Sequence, residues 1–157
     1  MIPFIFRNRN DSFKSKLFDE TGFYNAFMAD LKRCRKEVII ESPYITAFRM
    51  ELLYPTVKDL QNRDVKIHII TRDPVEHEEF YRHQATNEIL TCYEMGINIV
   101  MLRGYHHRKL AILDRKTLYE GSLNILSHNR SMEIMRRIEG KEWAEEMFRF
   151  AGLNSLI

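Results

Sequence analysis

Apolar positions along this chain recur with two periods, and the switches between them mark its elements. Phe23, Phe27, Leu31 and Cys34 fall three and four residues apart, which predicts a helix from Gly22 to about Lys36, with Thr21 as its cap. Val38-Ile39-Ile40 is short, β-branched and apolar, as a strand covered on both faces would be. Ser42-Pro43 ends it, because the residue before proline is pushed out of the helical region. A second helix is expected from Arg49 to Arg63, with Pro55 either kinking it or opening a fresh first turn. Val65 to Thr71 reads as a second buried strand. Glu76 to Met95 reads as a long amphipathic helix closed by Gly96, and Ile97 to Leu102 as a third strand.

Beyond Leu102 the helical period gives way to alternation. Arg108 to Leu113 and Thr117 to Leu123 are β-compatible runs separated by a turn-like Asp114-Arg115-Lys116, which predicts a hairpin. Ser131 to Ile138 gives another short strand, and Gly140 to Phe150 a last helix with Trp143, Met147 and Phe150 facing inward. Residues 1–20 show no clear period and read as an extended arm or early strand, leaving residues 21–157 as the domain. Strands alternating with helices, then a hairpin, argue for an α/β sandwich with a mixed sheet.

Composition narrows the classes. A chain of 157 residues, 45% apolar, suits one globular domain burying about 70% of its unfolded surface. The formal net charge is only +2, so any preference for nucleic acid must come from local clusters. Such clusters are Arg7 with Arg9, Lys32-Arg33 with Arg35-Lys36, and Arg108-Lys109 with Arg115-Lys116. Cys34 and Cys92 are far apart and read as buried free thiols. His77, His83 and His128 have no zinc spacing, so no metal site is expected. With no apolar run near 18 residues, and no basic segment or cleavage site around the initial Met-Ile-Pro-Phe, the expectation is a cytoplasmic protein without membrane association.

The chemistry concentrates in the hairpin. Period two places His107 with Lys109, and Ser122 with Asn124, on common faces, while Gly121 leaves room for close approach to the backbone. Imidazole, ammonium, hydroxyl and carboxamide together suit a phosphodiester: the imidazole can attack phosphorus while the others hold its oxygens. His107 is therefore the expected nucleophile, with Lys109, Ser122 and Asn124 as the phosphate cradle. Glu133 is the expected partner for the other imidazole nitrogen.

His107-x-Lys109, four residues, Asp114, then Gly121-Ser122-x-Asn124 resembles the signature of the phospholipase D superfamily. The likeness covers most of the chain from about Phe23 and includes Glu41-Ser42-Pro43-Tyr44. The run from His106 to Glu139 also resembles phospholipase D-like domains appended to superfamily 1 helicase-like proteins, which implies a helicase-like ATPase partner. The resemblance implies a phospholipase D-like α-β-α sandwich with a central mixed sheet and one motif copy per chain. It further implies that Asp114 braces the loop rather than touching substrate. The family supplies the leaving-group acid from a second motif copy, so a one-copy chain implies a two-fold homodimer with both His107 residues facing one cleft. No cofactor is called for. The expected substrate is nucleic acid, DNA or RNA, gripped by Arg103, Arg108, Arg115 and Lys116, with Tyr44, Phe48 and Tyr105 available for stacking near the cleft. The alternatives are a phospholipid-directed phosphodiesterase or transferase, and a nucleic-acid-binding module without turnover.

Overall fold

The computed structural model describes residues 14–128 and 130–157; the basic pair Arg7 and Arg9 lies outside them. The elements are β1 (Lys14–Asp19), α1 (Phe23–Arg33), β2 (Glu37–Glu41), α2 (Ala47–Asn62), β3 (Lys66–Arg72), α3 (Glu79–Glu94), β4 (Asn98–Leu102), β5 (Leu110–Leu113), β6 (Thr117–Gly121), β7 (Ile134–Glu139) and α4 (Lys141–Phe150). The strands form one sheet in the order β1-β7-β6-β5-β2-β3-β4. β2, β3 and β4 run parallel, each following a helical crossover, whereas β5, β6, β7 and β1 pair antiparallel. The sheet is mixed, as expected.

Side-chain alternation divides the core into two layers. Val38 and Ile40 pack with Phe23, Phe27 and Leu31 of α1, with Met50, Leu53 and Leu60 of α2, and with Ile89 and Cys92 of α3. Ile39, between them, joins Ile70, Ile112 and Leu118 beneath Ala144 and Phe148 of α4. Helices therefore cover both faces, three on one and one on the other. This is the α-β-α sandwich.

Three local expectations are corrected. Asp19, not Thr21, caps the approach to α1: its carboxylate accepts the Thr21 hydroxyl and the N–H groups of Thr21 and Gly22. The stretch before α3 is not continuous helix. Asp73 accepts the Val75 N–H at 3.0 Å, holding a single 3₁₀ turn (Pro74–Glu76), and α3 starts only at Glu79. Phe150 is 83% exposed, because α4 buries Ala144 and Phe148 and a position two residues on lies about 200° round the helix. Within residues 1–20, the early strand is the reading that the described part takes: β1 is an edge strand paired with β7. Gly96 does close α3, at φ +75°.

Candidate active site

The β5–β6 hairpin joins its strands through Asp114 and Arg115, both left-handed (φ 52° and 53°), with the Lys116 N–H bonded to the Leu113 carbonyl. Two such residues in sequence give the turn a twist matching that of the paired strands, but the conformation is strained for side chains other than glycine. Long-range contacts hold it. The Asp114 carboxylate accepts the N–H groups of Arg35, Lys36 and Glu37 at 2.8–3.0 Å, tying the turn to the segment entering β2. Burial would raise the carboxyl pKa, yet these backbone bonds outweigh it and keep the group below its ordinary range. Arg115 clamps Glu37 at 2.5 Å and lies 3.3 Å over the Phe148 ring.

The other end of the hairpin is open. Lys109 precedes β5, and its ammonium lies 2.8 Å from His107 Nδ1 while donating to the His107 carbonyl at 2.8 Å. An ammonium has only protons to offer, so the nitrogen facing it is the unprotonated one. Partial burial, then the charges of Lys109 and Arg72, hold the His107 pKa below its usual 6.5. A neutral, exposed imidazole is the state a nucleophile needs. Burial also lowers the Lys109 pKa, with the Glu133 charge opposing.

Ser122 and Asn124 lie just past the end of β6. The Ser122 N–H donates to the Ile134 carbonyl and its hydroxyl accepts the Ile134 N–H, continuing the β6–β7 pairing by one step. Gly121 makes that closeness possible, since a Cβ there would stand 2.1 Å from the Ile134 oxygen. What approaches this glycine is the neighbouring strand. Farther on, Tyr24 donates to the Ile125 carbonyl at 2.6 Å and Ser42 accepts the Leu126 N–H, fixing the loop that carries Asn124. Asn124 is buried, and its Oδ1 has no hydrogen-bond partner among the described residues.

His107, Arg108, Lys109, Ser122, Asn124 and Glu133 line one open groove of about 790 Å³. Some expected contacts are not made. Glu133 does not bond to His107: its carboxylate accepts from the hydroxyls of Ser122 and Ser131, and Lys109 occupies the space against the imidazole. Asp114, Arg115 and Lys116 sit at the turn, separated from Lys109 by the length of β5, about 13 Å. Arg115 and Lys116 therefore do not line the groove. Arg103 pairs with Asp73 at 2.8 Å, and Tyr44 lines an adjoining cavity.

Two contributors carried no assigned role in the sequence reading. Glu41, wholly buried, takes both arms of Arg108 at 2.7 and 2.8 Å and so fixes the residue between His107 and Lys109. Arg72 donates to the His106 carbonyl at 3.0 Å and steadies the same segment. Each ends a parallel strand, and ligand sites in such sheets gather beyond the carboxyl ends of the strands. The visible signal is a charged residue closing an apolar run, in Val38-Ile39-Ile40-Glu41 and Ile69-Ile70-Thr71-Arg72. His106, next to His107, has a buried side chain, and desolvation with Arg108 nearby pushes its pKa down to about 4.

Residues 27–151 match the family described as Cardiolipin synthase, PLD-like domain. The chain belongs to this phospholipase D-like family. Among curated proteins, none matches. Solved structures share the fold. NucT from Helicobacter pylori is 21% identical, over 88% of this chain and 92% of that one, with a TM-score of 0.69. Nuc from Salmonella typhimurium, a phospholipase D family member, is 16% identical over 88% and 91%, with a TM-score of 0.68. The phosphatidylserine synthase of Haemophilus influenzae is 13% identical and has a TM-score of 0.66, over 83% of this chain and 35% of that one.

Proposed function

We propose that this protein is a phosphodiesterase, and specifically a nuclease working through a phosphohistidine at a site completed by a second copy of the chain. The observation that carries the reading is the convergence of a neutral, exposed His107 with Lys109, Ser122 and Asn124 on one groove. The imidazole attacks phosphorus, the P–N bond forms, and the bond to the leaving oxygen breaks. Lys109 and the neutral donors stabilise the charge on the non-bridging oxygens. The leaving oxygen takes a proton from an acid on the opposite side. Water, deprotonated by that same group, then displaces His107.

One chain supplies one such histidine. The groove's apolar wall, with Leu17 56%, Ile134 63% and Phe150 83% exposed, favours a second copy docking there and presenting its own His107. The same apolar wall is the observation that favours the second reading, a phospholipid diester, whose acyl chains it could meet.

Labelled single- and double-stranded DNA and RNA, and phospholipid vesicles, are incubated with wild type and His107→Ala in EDTA. Lys109 provides cationic charge at the phosphate, so nucleic-acid cleavage should survive chelation and fall at least about 10³-fold in the variant. Vesicle hydrolysis with intact strands selects the lipid reading. No turnover of either substrate rejects both. Sedimentation of the protein at graded concentrations tests the second copy, and a monomer during turnover removes it.

A further inference from the structure

A second cavity, of about 450 Å³, adjoins the groove and shares Asn124 with it. Its character is different. Tyr44, Tyr81 and Tyr105 line it together with Arg72 and His77. Tyr44 packs against His77 with ring centroids 4.8 Å apart and meets Tyr81 edge-on at 6.0 Å, while the Arg72 guanidinium lies 5.2 Å over the Tyr44 ring. His77 is only 5% exposed; its ring lies within reach of the Pro43 carbonyl, and at strict geometry neither nitrogen is bonded among the described residues. The Asn124 Oδ1 is equally unmet. Buried polar atoms of this kind are rare and call for a ligand or water.

The wall facing these groups is Tyr105, 74% exposed and held at φ +58°. A bulky residue does not adopt that backbone unaided. The Glu76 carboxylate imposes it by accepting the N–H groups of Gly104 and Tyr105 at 2.8 and 3.0 Å. Tyr105 stands two residues before His107, so one loop presents a nucleophile to the groove and an aromatic ring to the cavity beside it.

The geometry points to a subsite for one unpaired nucleobase of a nucleic-acid strand, adjacent to the phosphate that His107 attacks. The inference rests on the phosphodiesterase reading and adds the form of the substrate. An aromatic ring stacks on any base. The open Asn124 Oδ1 and the His77 nitrogen turned away from Pro43 meet polar atoms on the base edge, and Arg72 adds positive potential beside the backbone. A base enters such a cavity only after leaving its stack, so single strands are favoured over duplex.

The test uses single-stranded oligonucleotides carrying one abasic residue at successive positions around the cut. Wild type should lose about ten- to one-hundred-fold in kcat/KM when the abasic residue falls beside the scissile phosphate, and little elsewhere. Tyr105→Ala should lose the same factor on the intact strand and become insensitive to the abasic residue, while Tyr105→Phe behaves as wild type. Equal cleavage of every abasic strand, with Tyr105→Ala as fast as wild type, overturns the subsite and leaves the phosphodiesterase reading standing. Binding is read separately with a 2-aminopurine strand on His107→Ala, where quenching should appear and should vanish in the His107→Ala/Tyr105→Ala double variant. Quenching without turnover by wild type on any strand or on bis(4-nitrophenyl) phosphate keeps the subsite and rejects the phosphodiesterase. Absence of both rejects the two together.

Discussion

The two ends of the β5–β6 hairpin are built from similar residue types and treated in opposite ways. At the turn, Asp114 and Arg115 are fully engaged, by three backbone N–H groups and by Glu37 and Phe148. At the other end Lys109 leans on the imidazole of an exposed His107, and Asn124 keeps an oxygen unmet among the described residues. A closed end gives the strands their register; an open end leaves polar capacity for a ligand. On the proposed function, residues of one short motif divide between holding and reacting, and the two roles can be separated by experiment.

The largest separation is expected at Lys109. Lys109→Met should lower turnover by about 10²–10³-fold, as loss of one preorganised charge does, while Tm moves by no more than about 2 °C. A comparable loss of Tm would mean that the open end also holds the fold. At the turn the pattern reverses. Asp114→Ala orphans three backbone donors, two of them at exposed residues, for about 1–3 kcal/mol and a Tm drop of about 3–10 °C. The kcat/KM per folded molecule should be unchanged, and a drop of tenfold or more would erase the distinction.

Acid separates the ends more finely. As the proposed nucleophile His107 must be neutral, and its pKa lies below 6.5, so the acidic limb of kcat/KM should fall at lower pH than for an ordinary histidine. Lys109→Met removes a neighbouring cation and should move that limb upward. Stability follows His106 instead. Its pKa is near 4 in the fold against 6.5 when exposed, so the unfolded chain binds the proton first and stability falls as pH drops from 6.5 towards 4. His106→Asn should flatten that part of a Tm-against-pH profile. An unchanged slope would exclude His106 as its source.

Much of this was legible in the residues. The stripe of Phe23, Phe27 and Leu31, the run Val38 to Ile40 and the motif from His107 to Asn124 each mark an element or a site. Burial period and short motif spacing are local properties, and the chain displays them directly. The strand order, the reach of Asp114 to Arg35 across 79 positions, and the pairing of Arg108 with Glu41 across 67 are not local. Periodicity reports which side of an element is covered, never by what. Glu133 shows the same limit: its proximity to the motif is visible in the residues, but the competition of Ser122 and Ser131 for its oxygens is not. Phe150 failed differently, since an aromatic at the end of an amphipathic helix can serve a wall as well as a core.

β1 carries a consequence for how the chain is made. It lies at the sheet edge and its pairing partner is β7, so Lys14 to Asp19 leave the ribosome well before Ile134 to Glu139 exist. At about 5–20 residues per second the first strand waits roughly six to twenty seconds for its mate. During that interval it is a solitary ribbon with open hydrogen-bonding groups, the state from which chains of different origin join. Lys14 and Lys16, both exposed, put charge on that ribbon and discourage neighbouring nascent chains from zipping onto it before the sheet closes.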